Sequence, residues 1–142
     1  MLILLSRGSP LVRYPVAFRR EKRNQYLSFE SVRQWFDGLG TTSEYTKRNY
    51  LDDLTHYCEW AKKTPDQLKQ ERKEQLKSDD IDVKMTAEKM LNRYANSGLK
   101  PKSSMWRAIA IIKSFYAHNF IELAAKSVKG PKRVKEKDYR SP

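Results

Sequence analysis

Cysteine occurs once in this 142-residue chain, at Cys58, and histidine twice, at His56 and His118. One thiol excludes an intramolecular disulfide framework and any multi-cysteine zinc site, and it points to a reducing, cytoplasmic setting. The two imidazoles stand far apart, and neither has the i, i+4 partner that a helical zinc site uses. Both read as surface histidines. Five scattered glycines form no phosphate-cradling loop. Apolar runs are short as well: Met1–Leu5 and Ala108–Ile112 fall far below the ~20 residues of a membrane-spanning helix. No membrane partner is expected. A secretory signal would need a longer apolar stretch, and Pro10 and Pro15 break any amphipathic transit helix. Alternating β-branched patterns are missing, so no strand competes with helix anywhere.

The acidic residues add no chemistry. Asp52 and Asp53 are adjacent, so on a helix they point about 100° apart, and Asp79, Asp80 and Asp82 precede a helix start, where negative charge suits the dipole. Cys58 falls on an apolar stripe and reads as a small buried hydrophobe. The inventory offers no active site, no metal site and no cofactor, and the chain by itself is expected not to be an enzyme.

What the sequence has is positive charge. Lys and Arg number 29 against 17 Asp and Glu, a net charge of +12, which favours a polyanionic partner. The surplus sits at the ends: residues 1–27 carry six bases and one acid, and residues 100–142 carry eleven and three. Residues 1–27 read as a basic flexible arm, 28–125 as a helical domain and 126–142, rich in Lys and Pro, as a linker or tail.

Helical periodicity organises the middle. Ser28 caps a helix over 28–39 carrying Val32, Trp35, Phe36 and Leu39. A second helix spans about Thr42 to Lys63, with Thr41 and Glu44 at capping-box spacing. Its apolar stripe is Tyr50, Leu51, Leu54, Tyr57, Cys58 and Ala61; the opposite face, Lys47, Arg48, Asp52, Asp53, His56, Glu59 and Lys63, is expected to be solvated. Thr64-Pro65, with Gln67, starts a helix over 65–77 that has only Leu68 and Leu76 as anchors and therefore lies lightly on the surface. From Asp82 a stripe of Val83, Ala87, Met90, Leu91 and Tyr94 runs to a Ser97-Gly98 stop. Ser103 or Ser104 caps the most apolar helix, with Met105, Ala108, Ile109, Ile112, Phe115 and Tyr116 inward, and Phe120 to Ala124 adds a short turn. The fold class is all-α: a compact bundle of four to five helices.

Two helix starts carry the chemistry of phosphate binding. Ser43, Thr46, Lys47 and Arg48 open the second helix; Lys100, Lys102, Ser103, Ser104 and Arg107 open the last long one. Free backbone N–H groups, short hydroxyls and basic side chains together suit a nucleic-acid backbone. Two such ends on one face would straddle a duplex groove. The basic 126–140 stretch, with Lys132 and Arg133, suits phosphate tracking.

The run Ser43, Thr46, Tyr50, Leu54, Tyr57 and Trp60 resembles the S-x-x-T-x-x-x-Y-x-x-x-L-x-x-F-x-x-W pattern in the core-binding domain of tyrosine recombinases, the phage-integrase family. The segment from Lys100 through Ser104, Arg107 and Ile112 to Phe115-Tyr116 is similar to that domain's last long helix, and Val32 to Leu39 takes the place of its first. Ile112-Lys113 stands where the family favours Leu-Arg, and Ser104 where it favours Thr. The resemblance implies a SAM-like helical bundle that forms half of a clamp on double-stranded DNA, with Ser43, Thr46, Lys47, Lys102, Ser104 and Arg107 toward the duplex and 126–142 as the linker. It implies partners too: a catalytic domain or other recombinase protomers. The family's catalytic Arg, Lys, His-x-x-Arg and Tyr nucleophile have no counterpart, since neither histidine is followed by Arg three residues later. Two other readings stand beside this one: a helical protein-interaction module anchored by Tyr14, Tyr26, Tyr45 and Tyr139, and the N-terminal piece of a split integrase.

Overall fold

The computed structural model describes residues 16–40 and 42–124. Among them are seven helices and no strand, which bears out the all-α reading. Two helices exceed the number expected, for two physical reasons.

The first is α1, Val16–Leu27, which stands where a flexible arm was expected. Pro15 precedes it directly, a place where a missing N–H costs nothing. α1 is pinned by charge: the Arg23 Nε and Nη2 donate to the two Asp52 carboxylate oxygens at 3.1 and 2.9 Å, and Lys22 pairs with Glu59 at 2.6 Å. Tyr26 is buried and meets Phe29 edge-on, which withdraws it from the exposed aromatics. The Ser28 hydroxyl donates back to the Gln25 carbonyl at 2.6 Å rather than capping the second helix. Thus α2, Glu30–Leu39, begins two residues later than expected, at a Phe29 cap with no side-chain bond. Its Ser31 N–H donates instead to Asp66 of a later helix, at 2.9 Å.

α3, Glu44–Ala61, is capped by Ser43, whose hydroxyl accepts from the Thr46 N–H. The stripe holds at Leu51, Leu54, Tyr57 and Cys58, all buried. The expected solvated face holds only in part, at Arg48 and His56. Asp53 is buried, and Asp52, Glu59 and Lys63 are in ion pairs. α4, Pro65–Leu76, opens on a complete Thr64–Gln67 capping box.

The second additional helix arises because the fourth expected one divides. α5, Ile81–Lys84, is capped by Asp80, and α6, Thr86–Ala95, resumes after Met85. At the break the Thr86 hydroxyl donates to the Val83 carbonyl at 2.7 Å, a side-chain bond that competes with the backbone ladder. Val83, expected in the apolar stripe, faces solvent instead, beside an exposed Ile81. Gly98, at φ 78°, makes the left-handed stop.

α7, Lys102–His118, starts at Pro101, so Ser103 and Ser104 lie in its first turn instead of capping it. Its inward residues are those expected, joined by Ile111. The core closes around Trp35 of α2, fully buried, which stacks on Tyr50, meets Phe115 edge-on and donates from Nε1 to the Ser114 hydroxyl at 3.1 Å. From Asn119 to Ala124 the chain is not helical: Ile121 and Leu123 are buried, whereas Phe120, at φ 64°, is 81% exposed.

α4 is held more firmly than two leucines allow. Arg72, buried, donates to Glu88 Oε1 of α6 at 2.8 Å and to the carbonyls of Lys84, Glu122 and Ile121 at 2.9, 2.9 and 3.4 Å. The other Glu88 oxygen accepts from the Ala124 N–H at 2.9 Å.

Candidate nucleic-acid interface

At the start of α3 the hydroxyls are already engaged with one another. Ser43 Oγ accepts from the Thr46 N–H and donates to the Thr46 hydroxyl at 3.0 Å. Both remain at the surface, Ser43 exposed and Thr46 half-buried. Lys47 lies across the Phe36 ring, 5.8 Å from its centroid, and 4.0 Å from Glu44, so it is partly occupied. Arg48 is exposed, with no acid partner among the described residues.

The start of α7 is built around a carboxylate from its neighbour. Asp53 of α3 is 4% exposed and sits between Lys100 Nζ at 3.7 Å and Arg107 Nε at 3.5 Å. Neither distance is a hydrogen bond, and Asp53 Oδ2 has no hydrogen-bond partner. Burial pushes the Asp53 carboxyl above the ordinary carboxylate range, against the pull of Lys100, Arg107 and His56. The Lys100 ammonium also lies 3.1 Å from His56 Nδ1, and only 11% of its side chain reaches solvent. Lys100 is therefore an internal tie between the α6–α7 connector and α3. Arg107 differs: its Nε faces Asp53 while 64% of the side chain is exposed, which leaves the guanidinium fork outward. Lys102 and Ser103 are exposed, and Ser104 is half-buried.

The order of contacts fixes how the two starts are related. Tyr50 reaches Phe115 and Ser114 through Trp35, Asp53 faces Arg107, and His56 meets Lys100. Later residues of α3 meet earlier residues of the α7 region, so the helices run antiparallel. Their first turns lie at opposite ends of the pair, on the order of 20 Å apart along its axis at 1.5 Å per residue. Lys100 and Arg107 come together; Ser43, Thr46 and Lys47 form a separate group. Lys132 and Arg133 lie outside the described residues.

Asp53 is the site residue that sequence reading misplaced. Its signal was present: Tyr50, Asp53 and Tyr57 share i, i+3, i+7 spacing, which puts the aspartate on the edge of the apolar stripe.

Comparison with known families decides the kinship. Residues 32–120 match the family described as phage integrase, N-terminal SAM-like domain. This chain belongs to that family. The match runs from the first turn of α2 to just past α7 and so contains both basic helix starts of this integrase domain. No curated protein and no solved structure matches the chain. Among the described residues of the integrase domain, no helix is long and apolar enough to cross a membrane, and no group of three or more His, Cys, Asp or Glu is placed to hold a metal ion.

Proposed function

We propose that this chain binds double-stranded DNA as the core-binding half of a tyrosine-recombinase clamp, without itself cleaving a strand. The observation that carries the reading is the set of exposed bases flanking the α3–α7 seam. Arg48 stands toward one end and Lys102 toward the other, with the outward fork of Arg107 between them beside Asp53. The ~12 Å width of a B-DNA major groove is less than the spacing of the two helix starts. A duplex laid across the pair thus meets them with two stretches of backbone, and the seam faces the groove between them. The two starts span the duplex instead of converging on one phosphate. Lys132 and Arg133, in the basic segment beyond the described residues, add backbone contacts. A catalytic domain or further protomers supply the other half of the grip.

The test is a fluorescence-anisotropy titration on duplex DNA in a salt series. With four to six phosphates engaged, the logarithm of affinity is expected to fall against the logarithm of salt with a slope of about −4 to −5. Dissociation constants on the order of 10⁻⁴ to 10⁻⁶ M at physiological salt are expected for this half alone. Absence of salt-dependent binding removes the reading.

A further inference from the structure

We propose that Asp53 is a built-in counter-anion that restrains the phosphate-binding strength of this face, its fixed negative charge standing beside Arg107 and opposing any phosphate that the Arg107 fork engages. The inference rests on the DNA-binding reading above and concerns the regulation of that same site.

The geometry carries it. Asp53 is nearly inaccessible, yet no cation comes within hydrogen-bond distance of its carboxylate: Lys100 stops at 3.7 Å and Arg107 at 3.5 Å. A carboxylate committed to a structural ion pair draws Arg into a two-point bond at 2.7–2.9 Å. In this chain Arg23 and Asp52 come close to that, at 2.9 and 3.1 Å. Asp53 and Arg107, on the same pair of neighbouring elements that forms the proposed face, do not. The Asp53 oxygen nearest Arg107 has no hydrogen-bond donor at all. Arg107 is therefore held by charge alone, through Nε, while its fork remains free to engage a phosphate. A phosphate at that fork comes close to a fixed negative charge, and the repulsion between them lowers affinity.

Among the described residues, the elements packed around Asp53 supply no other base that takes over. Facing it are Lys100 from the α6–α7 connector, Arg107 from α7, Tyr94 from α6, and His56 and Asp52 from its own helix. Arg23 of α1 is spent on Asp52. Neutralising Asp53 thus releases positive charge at the face with no compensating pair.

The experiment compares duplex binding by the full chain and by Asp53→Asn across a salt series, with circular dichroism to verify helicity. Asp53→Asn is expected to bind DNA roughly five- to tenfold more tightly near 0.1 M salt and to steepen the salt slope by about one, the effect of one added phosphate contact. Because Lys100 is largely buried, Asp53→Asn can lose its fold. The pair Lys100→Met and Asp53→Asn/Lys100→Met removes that strain and is expected to show the same rise between its two members through Arg107 alone. Unchanged or weaker binding in folded variants, with the unaltered chain binding normally, overturns the inference and leaves the DNA-binding reading intact. Loss of salt-dependent binding by the unaltered chain overturns both.

Discussion

Two side chains show how single contacts set the behaviour of this domain. The His56 residue reaches solvent, yet burial around its ring, and then the Lys100 charge 3.1 Å away, hold the imidazole below its ordinary range. A depressed folded value means that the unfolded chain binds the proton more readily, so this stabilisation is present above about pH 6.5 and is lost as pH falls through the folded value. Urea midpoints measured between pH 7.5 and 5.5 are expected to decline in the native chain, and His56→Gln is expected to flatten that decline. Gly38 illustrates a steric limit. A Cβ there would lie 2.9 Å from His118 Cγ and closer still to Nδ1. Gly38→Ala, favourable in a helix by about 0.5–1 kcal/mol on propensity alone, is expected instead to destabilise by about 1–3 kcal/mol through overpacking. Adding His118→Ala restores the propensity gain, as denaturant midpoints of the single and double variants would show. Neither effect was legible in the sequence, where Gly38 is one of five scattered glycines and both histidines read as surface residues. Each depends on a partner more than 40 positions away.

At the scale of elements, periodicity found what local rules govern. The Thr64–Gln67 capping box, the buried face of α7 and the Leu51, Leu54, Tyr57 stripe of α3 all arise from spacing within one helix. What it missed are the polar residues that fasten one helix to another. α4 has few apolar anchors, yet Arg72 joins it to Glu88 of α6 and to three carbonyls. Pattern reading assigns a charged residue to water, and a buried ion pair breaks that rule only when both partners are brought together. Glu88→Gln is expected to cost about 3–5 kcal/mol by leaving the Arg72 charge uncompensated, measured by urea unfolding. Replacing both partners with apolar residues does not restore stability here, because the Lys84, Ile121 and Glu122 carbonyls then lose their donor.

For the whole molecule, the distinction that matters is between charge that holds the bundle together and charge left over for a partner. Arg23, Lys63, Arg72 and Lys100 are committed internally, whereas Arg48 and Lys102 are exposed without an acid partner among the described residues. The net charge of +12 made a polyanionic partner legible from composition, but composition cannot sort committed bases from free ones. Arg48→Glu with Lys102→Glu is expected to abolish duplex binding while helicity and urea midpoint stay close to native. Leu54→Ala and Ile112→Ala, at fully buried positions, are expected to cost roughly 2–5 kcal/mol each. A loss of folding in the charge-reversed variant would assign those residues a structural role. The clasp formed by Arg72 and Glu88 bears on how the domain transmits load. By gripping the backbone from Ile121 to Ala124, it ties that stretch to α4 and α6. Tension applied from the C-terminal side is borne first by α4 and α6, so under a pulling force the clasp yields before the last turn of α7 unwinds.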